Sequence, residues 1–325
     1  MVIATGFERS SEELSCARER SDWHMNSKIV AAFPIQSMKI GIGLPATIPN
    51  VPSDLVLEWA KRADNEGFST LGIIDRLVYP NYEPMMTLAA VASVTERVRL
   101  MTSILIAPLR NTALLAKQAA TLDRISNGRL TLGLAIGGRE DDFLAAGVSY
   151  KTRARRFEEQ LRLMKRVWSG EAIGGDVGKI GPAPVQPGGP EILIGGYSPA
   201  ALSRASRFAD GFIAAGGQDI QRMASIYNGV QESWKAAGRK VEPRLVCAAY
   251  YALGANAADR GSLYIRDYYG FLGPMVDNIV RGILSTESSV RNAIKSLSEI
   301  GANEFVLWPC IPDLEQVDLA SKCLD

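Results

Sequence analysis

Short apolar runs of strand type alternate with amphipathic helical runs eight times along this chain of 325 residues, and that alternation constrains the fold more than any other feature. Strands are expected at 39–45, 69–75, 97–105, 129–137, 191–196, 210–216, 243–253 and 303–309. Helices are expected at 53–67, 83–96, 112–126, 152–170, 199–209, 219–238, 288–301 and 313–323. Ser53 reads as an N-cap and Gly67 as a stop, Pro84 sits in a first turn, and Asn127-Gly128 closes the third helix. In the fourth long helix Phe157, Leu161, Met164 and Trp168 share one face. Strands that are apolar throughout, without polar alternation, are buried on both faces, as parallel strands are. Eight such units predict a (β/α)8 TIM barrel with insertions, and an open doubly wound sheet is the alternative.

Two stretches interrupt the pattern. The Gly/Pro-rich connector 173–190 reads as a surface excursion or a hairpin, and 254–282 as an insertion without an interpretable motif. Residues 1–37 are polar, lack a core period and read as a disordered N-terminal extension to a barrel spanning 38–325. Met25 and Met38 are possible later starts, and no cleavage site suggests a signal peptide.

Composition removes whole classes of function. Lys plus Arg number 36 against 35 acidic residues, which gives no electrostatic case for nucleic acid or an anionic membrane. No apolar run approaches the ~18 residues a membrane span needs. The four cysteines form no CxxC pair, so a cytoplasmic location is expected. His24, the single histidine, lies in the N-terminal extension, which argues against histidine-based zinc sites and Ser-His-Asp triads. Chemistry must then come from carboxylates, arginines, tyrosines or a cofactor.

In a barrel the site lies at the C-terminal ends of the strands. Polar residues there are Asp75 and Arg76; Thr102, Ser103, Arg110 and Asn111; Gly137, Gly138, Arg139, Glu140 and Asp141; Gly195, Gly196, Tyr197 and Ser198; residues 216–218; and Trp308 and Cys310. The turn "GGYSPAA" can present backbone amides to a phosphate at a helix start.

The segments "DRLVYPNYEPMMTLAAVASVTERVRL", "RNTALLAKQAATLDRISNGRLTLGLAIGGREDDFLAAGV", "RRFEEQLRLMKRVWSGE", "ILIGGYSPAALSRASRFADGFI" and "GANEFVLWPCIPDLEQVD" carry a resemblance. From about residue 38 onward the chain resembles the bacterial luciferase-like monooxygenase family, and is most similar to its coenzyme F420-dependent (deazaflavin) oxidoreductase branch. The resemblance implies a cofactor ring in the barrel mouth and a cis peptide between Ser103 and Ile104 beneath it. Cofactor contacts would come from Asp75, Ser103, Ile104, Gly137, Gly138, Glu140, Gly195, Gly196, Tyr197 and Ser198.

The same resemblance puts a histidine where this chain has Arg76. Arg76 stays protonated at any working pH, so it is a poor proton shuttle; it either binds an anion or pairs with Asp75 or Glu140. Glu140 is a candidate acid, or else an exposed helix-start carboxylate beside Asp141 and Asp142. Tyr79 and Tyr82 line the substrate side or simply pack. Arg153, Arg155 and Arg156 read as a solvated helix start. The expected activity is F420-dependent hydride transfer to or from a small-molecule substrate, with Glu140, Asp75 and Arg76 as the catalytic candidates. The alternatives are an FMN monooxygenase supplied by a separate cofactor-reducing enzyme, and a non-catalytic flavin binder. A homodimer is the expected assembly.

Overall fold

The computed structural model describes residues 38–214 and 219–324. The expected extension 1–37 and the glycine pair in 216–218 lie outside the described residues. All that follows belongs to the unit Gln36–Asp325.

The barrel strands are β1 (Lys39–Gly43), β2 (Thr70–Ile73), β3 (Arg99–Ile106), β4 (Leu130–Ala135), β7 (Glu191–Gly195), β8 (Gly211–Ile213), β9 (Arg244–Tyr251) and β10 (Glu304–Pro309). They close in the order β1-β10-β9-β8-β7-β4-β3-β2, and every pairing is parallel. This is the luciferase-like (β/α)8 barrel, and the open sheet is set aside. Strands β5 (Ala172–Gly174) and β6 (Val177–Lys179) pair antiparallel outside the barrel, so the Gly/Pro-rich connector is a hairpin.

Around the barrel run α1 (Ser53–Asn65), α2 (Pro84–Ala92), α3 (Thr112–Ile125), α5 (Arg153–Trp168), α6 (Pro199–Phe208), α7 (Ile220–Ala236), α10 (Glu287–Glu299) and α11 (Glu315–Ser321). The N-cap of α1 is Pro52, not Ser53, and it makes no side-chain cap; Ser53 is already helical. Gly67 does take the left-handed conformation just past that helix, at φ +92°. Pro84 starts α2 behind a Glu83 cap that accepts the Met86 N–H. A short helix the periodicity does not reveal, α4 (Glu140–Ala145), follows β4. The 254–282 insertion folds into α8 (Ala257–Tyr269), a 3-10 segment (Gly270–Met275) and α9 (Val276–Arg281).

Side chains fill the lumen in layers. At the N-terminal end Arg244 is ion-paired with both Glu191 and Glu304. Arg99 pairs with Glu191 at 3.3 Å, and the Thr131 hydroxyl donates to Glu191 at 2.7 Å. Burial alone would push the Glu191 carboxyl up, but Arg244, Thr131 and Arg99 more than offset it and hold it below its ordinary value. Buried charges that find partners in this way avoid the cost of isolated ones.

Nearer the C-terminal end the layer is apolar and is shaped by glycines. A Cβ on Gly43 would lie 2.1 Å from the Trp308 ring, and one on Gly72 2.8 Å from it. Trp308 therefore lies flat across β1 and β2. The Ser103–Ile104 peptide is cis, as the resemblance implies, and the β3–β4 register shifts between Thr102 and Leu105. At this bulge Ile104 leans over Gly133 and Gly195, whose Cβ positions lie 3.4 and 3.5 Å from its side-chain carbons. Trp308 and Ile104 together make an apolar floor just below the barrel mouth.

Candidate active site

Asp75 and Arg76 leave the end of β2 in different directions. Asp75 is buried; its carboxylate accepts the Ile106 N–H at 2.9 Å and an Arg110 N–H at 3.2 Å. Arg110 also donates to Glu83 at 2.9 Å. Burial raises the Asp75 carboxyl above its ordinary value, and Arg110 and the Ile106 amide offset only part of that. The partner of Asp75 is thus Arg110, which sequence reasoning placed at the rim but did not pair.

Arg76 pairs with neither Asp75 nor Glu140. It donates to the Tyr268 carbonyl at 2.8 Å, and its guanidinium carbon lies 4.4 Å from the ring centre of Tyr79, 5.0 Å from that of Tyr268 and 5.5 Å from that of Phe271. Phe271 is shared with Arg139, whose guanidinium carbon is 4.2 Å from the ring centre. The insertion therefore docks on two arginines of the rim through the faces of its rings, an attraction that strengthens with desolvation. Tyr79 adds a hydroxyl bond to Asp267, so it clamps the insertion as well as packing on it. Tyr82 turns away and donates to the Val51 carbonyl at 2.7 Å.

Glu140 is exposed at the first position of α4 and makes no hydrogen bond or ion pair with any described residue. Its neighbours behave differently. Asp141 pairs with Arg139. Asp142 is fully buried and accepts the Leu77 and Val78 N–H groups at 3.1 and 2.7 Å, tying the loop after β2 to α4. In the sequence the three acids are equivalent, and only packing singles out Asp142. Arg153 and Arg156 are not solvated. Arg153 donates to the Gly137 and Tyr150 carbonyls, and Arg156 to those of Pro108 and Arg110. Arg155 is exposed, as expected.

The glycines of the two remaining rim loops differ in purpose. Gly137 has φ +76°, and a Cβ there would lie 2.6 Å from Ile106, whereas nothing lies within 4 Å of the Cβ position of Gly138. Gly196 has φ +134°, open only to glycine, and Ser198 caps α6 by accepting the Ala201 N–H at 3.2 Å. Tyr197 between them is exposed.

Sequence reasoning missed the tyrosines of the insertion and of β9. Tyr250, Tyr264, Tyr268 and Tyr269 form one cluster of edge-on and tilted rings with centres 4.8–6.3 Å apart. The Tyr264 hydroxyl bonds to Thr47 at 2.7 Å, and those of Tyr250 and Tyr269 bond to each other at 2.9 Å. A usable signal was the spacing of Tyr264 and Tyr268, one helical turn apart in "LYIRDYYGF".

The family model for luciferase-like monooxygenases matches residues 38–305, and the chain belongs to that family. An F420-dependent glucose-6-phosphate dehydrogenase of Amycolatopsis mediterranei is 31% identical over 209 residues, covering 59% of this chain and 62% of that protein. The chain spans 60% to 64% of the length of the curated relatives it matches. Among solved structures, an F420-dependent secondary alcohol dehydrogenase in complex with an F420–acetone adduct superposes with a TM-score of 0.76 at 18% identity, over 89% of this chain and 98% of that one. The FMN-bound oxygenating constituent of the 3,6-diketocamphane monooxygenase of Pseudomonas putida superposes at 0.67 and 16% identity, over 89% and 96%. At these identities the structural likenesses establish the fold alone. No helix among the described residues is long and apolar enough to cross a membrane.

Proposed function

We propose that this chain is an oxidoreductase that uses coenzyme F420 to move a hydride between the reduced deazaflavin and an organic substrate. The observation that carries the reading is the apolar floor of the mouth, built by Trp308 across Gly43 and Gly72 and by Ile104 across Gly133 and Gly195. A flat heteroaromatic ring fits such a floor. Open backbone at Gly138 and the left-handed Gly196 let a ligand approach the rim on two sides. Relatives named F420-dependent glucose-6-phosphate dehydrogenase, at 31% identity, and 5,10-methylenetetrahydromethanopterin reductase, at 30%, support the deazaflavin over a flavin.

Ser103, Ile104, Gly137, Gly138, Gly195, Gly196, Tyr197 and Ser198 would surround the ring and its tail. Asp75 holds the end of β3 at this site through the Ile106 amide, so it acts by positioning the bulge. Arg76, tied to the insertion, orients that segment and transfers no proton. Glu140 is exposed at the rim, where it would pass protons between the site and solvent. The bound deazaflavin would supply a two-electron hydride carrier that reacts poorly with oxygen, because carbon replaces ring nitrogen N5.

The test is a paired titration with F420 and FMN, followed by oxygen-electrode traces during turnover. Tighter F420 binding and no oxygen uptake are expected. Tight FMN binding with stoichiometric oxygen consumption would move the chain to the monooxygenase reading, which the fold likeness to the FMN-bound enzyme keeps in contention. Binding without turnover across a broad substrate panel would leave a non-catalytic binder.

A further inference from the structure

Tyr250 is the Cα partner of Trp308 across the β9–β10 ladder, so the two side chains stand on the same face of the sheet. That face is the lumen, since Trp308 lies against Gly43 and Gly72, and Arg244, six residues before Tyr250, joins the lumenal ion pairs. Tyr250 therefore enters the barrel mouth at the level of the apolar floor. Tyr269 comes from the end of α8 and meets it hydroxyl to hydroxyl at 2.9 Å. Tyr269 also packs edge-on against Tyr268, ring centres 4.8 Å apart, whose carbonyl holds Arg76 of the rim.

The hydrogen-bond count at this pair is incomplete. Two hydroxyls carry two protons and can accept at four lone pairs. One bond joins them, and neither makes another with any described residue. One O–H is left to donate at the mouth, beside an apolar floor. Burial raises both phenols above their ordinary value, which keeps the spare proton in place at neutral pH.

The rim cations are paired unevenly. Arg110 is ion-paired with Asp75 and Glu83, and Arg139 with Asp141. Arg76, held by the Tyr268 carbonyl and three rings, and Arg153 and Arg156, held by backbone carbonyls, keep their charge without an anionic partner among the described residues.

We propose that the Tyr250–Tyr269 hydroxyl pair is the proton-handling group of the site, with Tyr269 as the donor to a substrate carbonyl, or the acceptor from the corresponding alcohol. This rests on the hydride-transfer reading above. In the reducing direction the carbonyl carbon receives a hydride, the C=O π bond breaks, and its electron pair takes the Tyr269 proton. One C–H and one O–H bond form; the carbonyl is reduced and the cofactor oxidised by two electrons. Tyr250 donates to the resulting phenolate until a solvent proton restores it. In the oxidising direction each step reverses.

The experiment has two arms, each with wild type, Tyr269→Phe and Tyr250→Phe, whose melting temperatures are compared first. In the first arm, saturation-transfer NMR follows cyclohexanol on the protein loaded with whichever cofactor it binds in the titration above, and on the unloaded protein. Cyclohexanol binds the wild type and binds at least several-fold more weakly to both variants. In the second arm, turnover of cyclohexanone or cyclohexanol is measured with F420. Tyr269→Phe loses roughly 10²–10⁴-fold in kcat, the usual share of a general acid–base group, while KM rises only by the several-fold seen in the binding arm and F420 affinity is little changed. Tyr250→Phe loses less, because Tyr269 keeps its proton. A Tyr269→Phe kcat within threefold of wild type, cyclohexanol binding unchanged in both variants, or losses in kcat that track an equal loss of melting temperature and cofactor affinity would overturn the proposal. If F420 does not bind but cyclohexanol binding still depends on both hydroxyls, the F420 reading falls and the hydroxyl pair stands.

Discussion

Asp75 shows how little a residue's type says about its task until its partner is known. Its carboxylate serves the Ile106 amide and Arg110, and only 4% of its side chain and 17% of that of Arg110 are exposed. Removing one member of a buried pair strands the other, at a cost of about 3–5 kcal/mol, so Arg110→Ala should cost about 3 kcal/mol near pH 7. The deficit should depend on pH with a definite sign. The Asp75 carboxyl is raised in the folded protein, and losing Arg110 raises it further. The native state then holds a proton that the unfolded state releases, so the variant gains stability relative to wild type as pH falls through the raised value. Urea denaturation at pH 7 and pH 5 checks this; a deficit that grows toward pH 5 would refute the assignment. Asp142 follows the same logic silently, holding two amides of the neighbouring loop while Asp141 pairs with Arg139 and Glu140 is exposed.

The insertion at 254–282 is the element whose role packing alone reveals. It reads as featureless because its contacts are ring faces on arginines and hydroxyls on distant residues, neither of which has a sequence period. Tyr264 reaches Thr47 after β1, Tyr79 reaches Asp267, and Arg76 reaches the Tyr268 carbonyl. Arg76→Ala should therefore loosen α8 and the 3-10 segment without opening the barrel. Hydrogen exchange should lose roughly tenfold in protection over 264–275, the response to about 1.4 kcal/mol of lost local stability, with the barrel strands unchanged. Protection lost equally in β3 and β4 would show that Arg76 supports the barrel itself. The lower end of the barrel responds to acid instead. The Glu191 carboxyl is held below its ordinary value, so its contribution is present above the unfolded value of about 4.3 and disappears as pH falls through the folded one.

At the scale of the whole molecule the barrel closes without anything before residue 38. Strand β1 begins at Lys39 and pairs with β2 on one side and β10 on the other, so both its edges are satisfied. Residues 1–37 also show no core period in the sequence. Their deletion is accordingly expected to leave melting temperature and cofactor affinity unchanged, as differential scanning fluorimetry and F420 titration would read. A fall of several degrees or a severalfold loss of affinity would show that the segment packs on the barrel.

Period and chemistry by themselves determined a good deal about this protein. Eight apolar runs alternating with amphipathic ones determine a parallel sheet covered by helices, because strands buried on both faces need helices outside them, and the closed strand order makes it a barrel. Gly67, Pro84 and Asn127-Gly128 mark helix ends because φ is a local property. The rim residues follow from the strand ends, whereas the bulge at Ser103 and Ile104 followed only from the family resemblance. Tertiary structure alone decided which of those rim residues work together. Arg110 and not Arg76 neutralises Asp75, Arg153 and Arg156 bind carbonyls and not water, Trp308 occupies space cleared by two glycines on other strands, and Tyr250 finds Tyr269. Apart from the Arg153 bond to Tyr150, three positions away, each of these joins residues between 16 and 265 positions apart. Periodicity reports which face a residue occupies, whereas a contact depends on how strands close into a barrel, and that closure brings distant side chains within bonding reach.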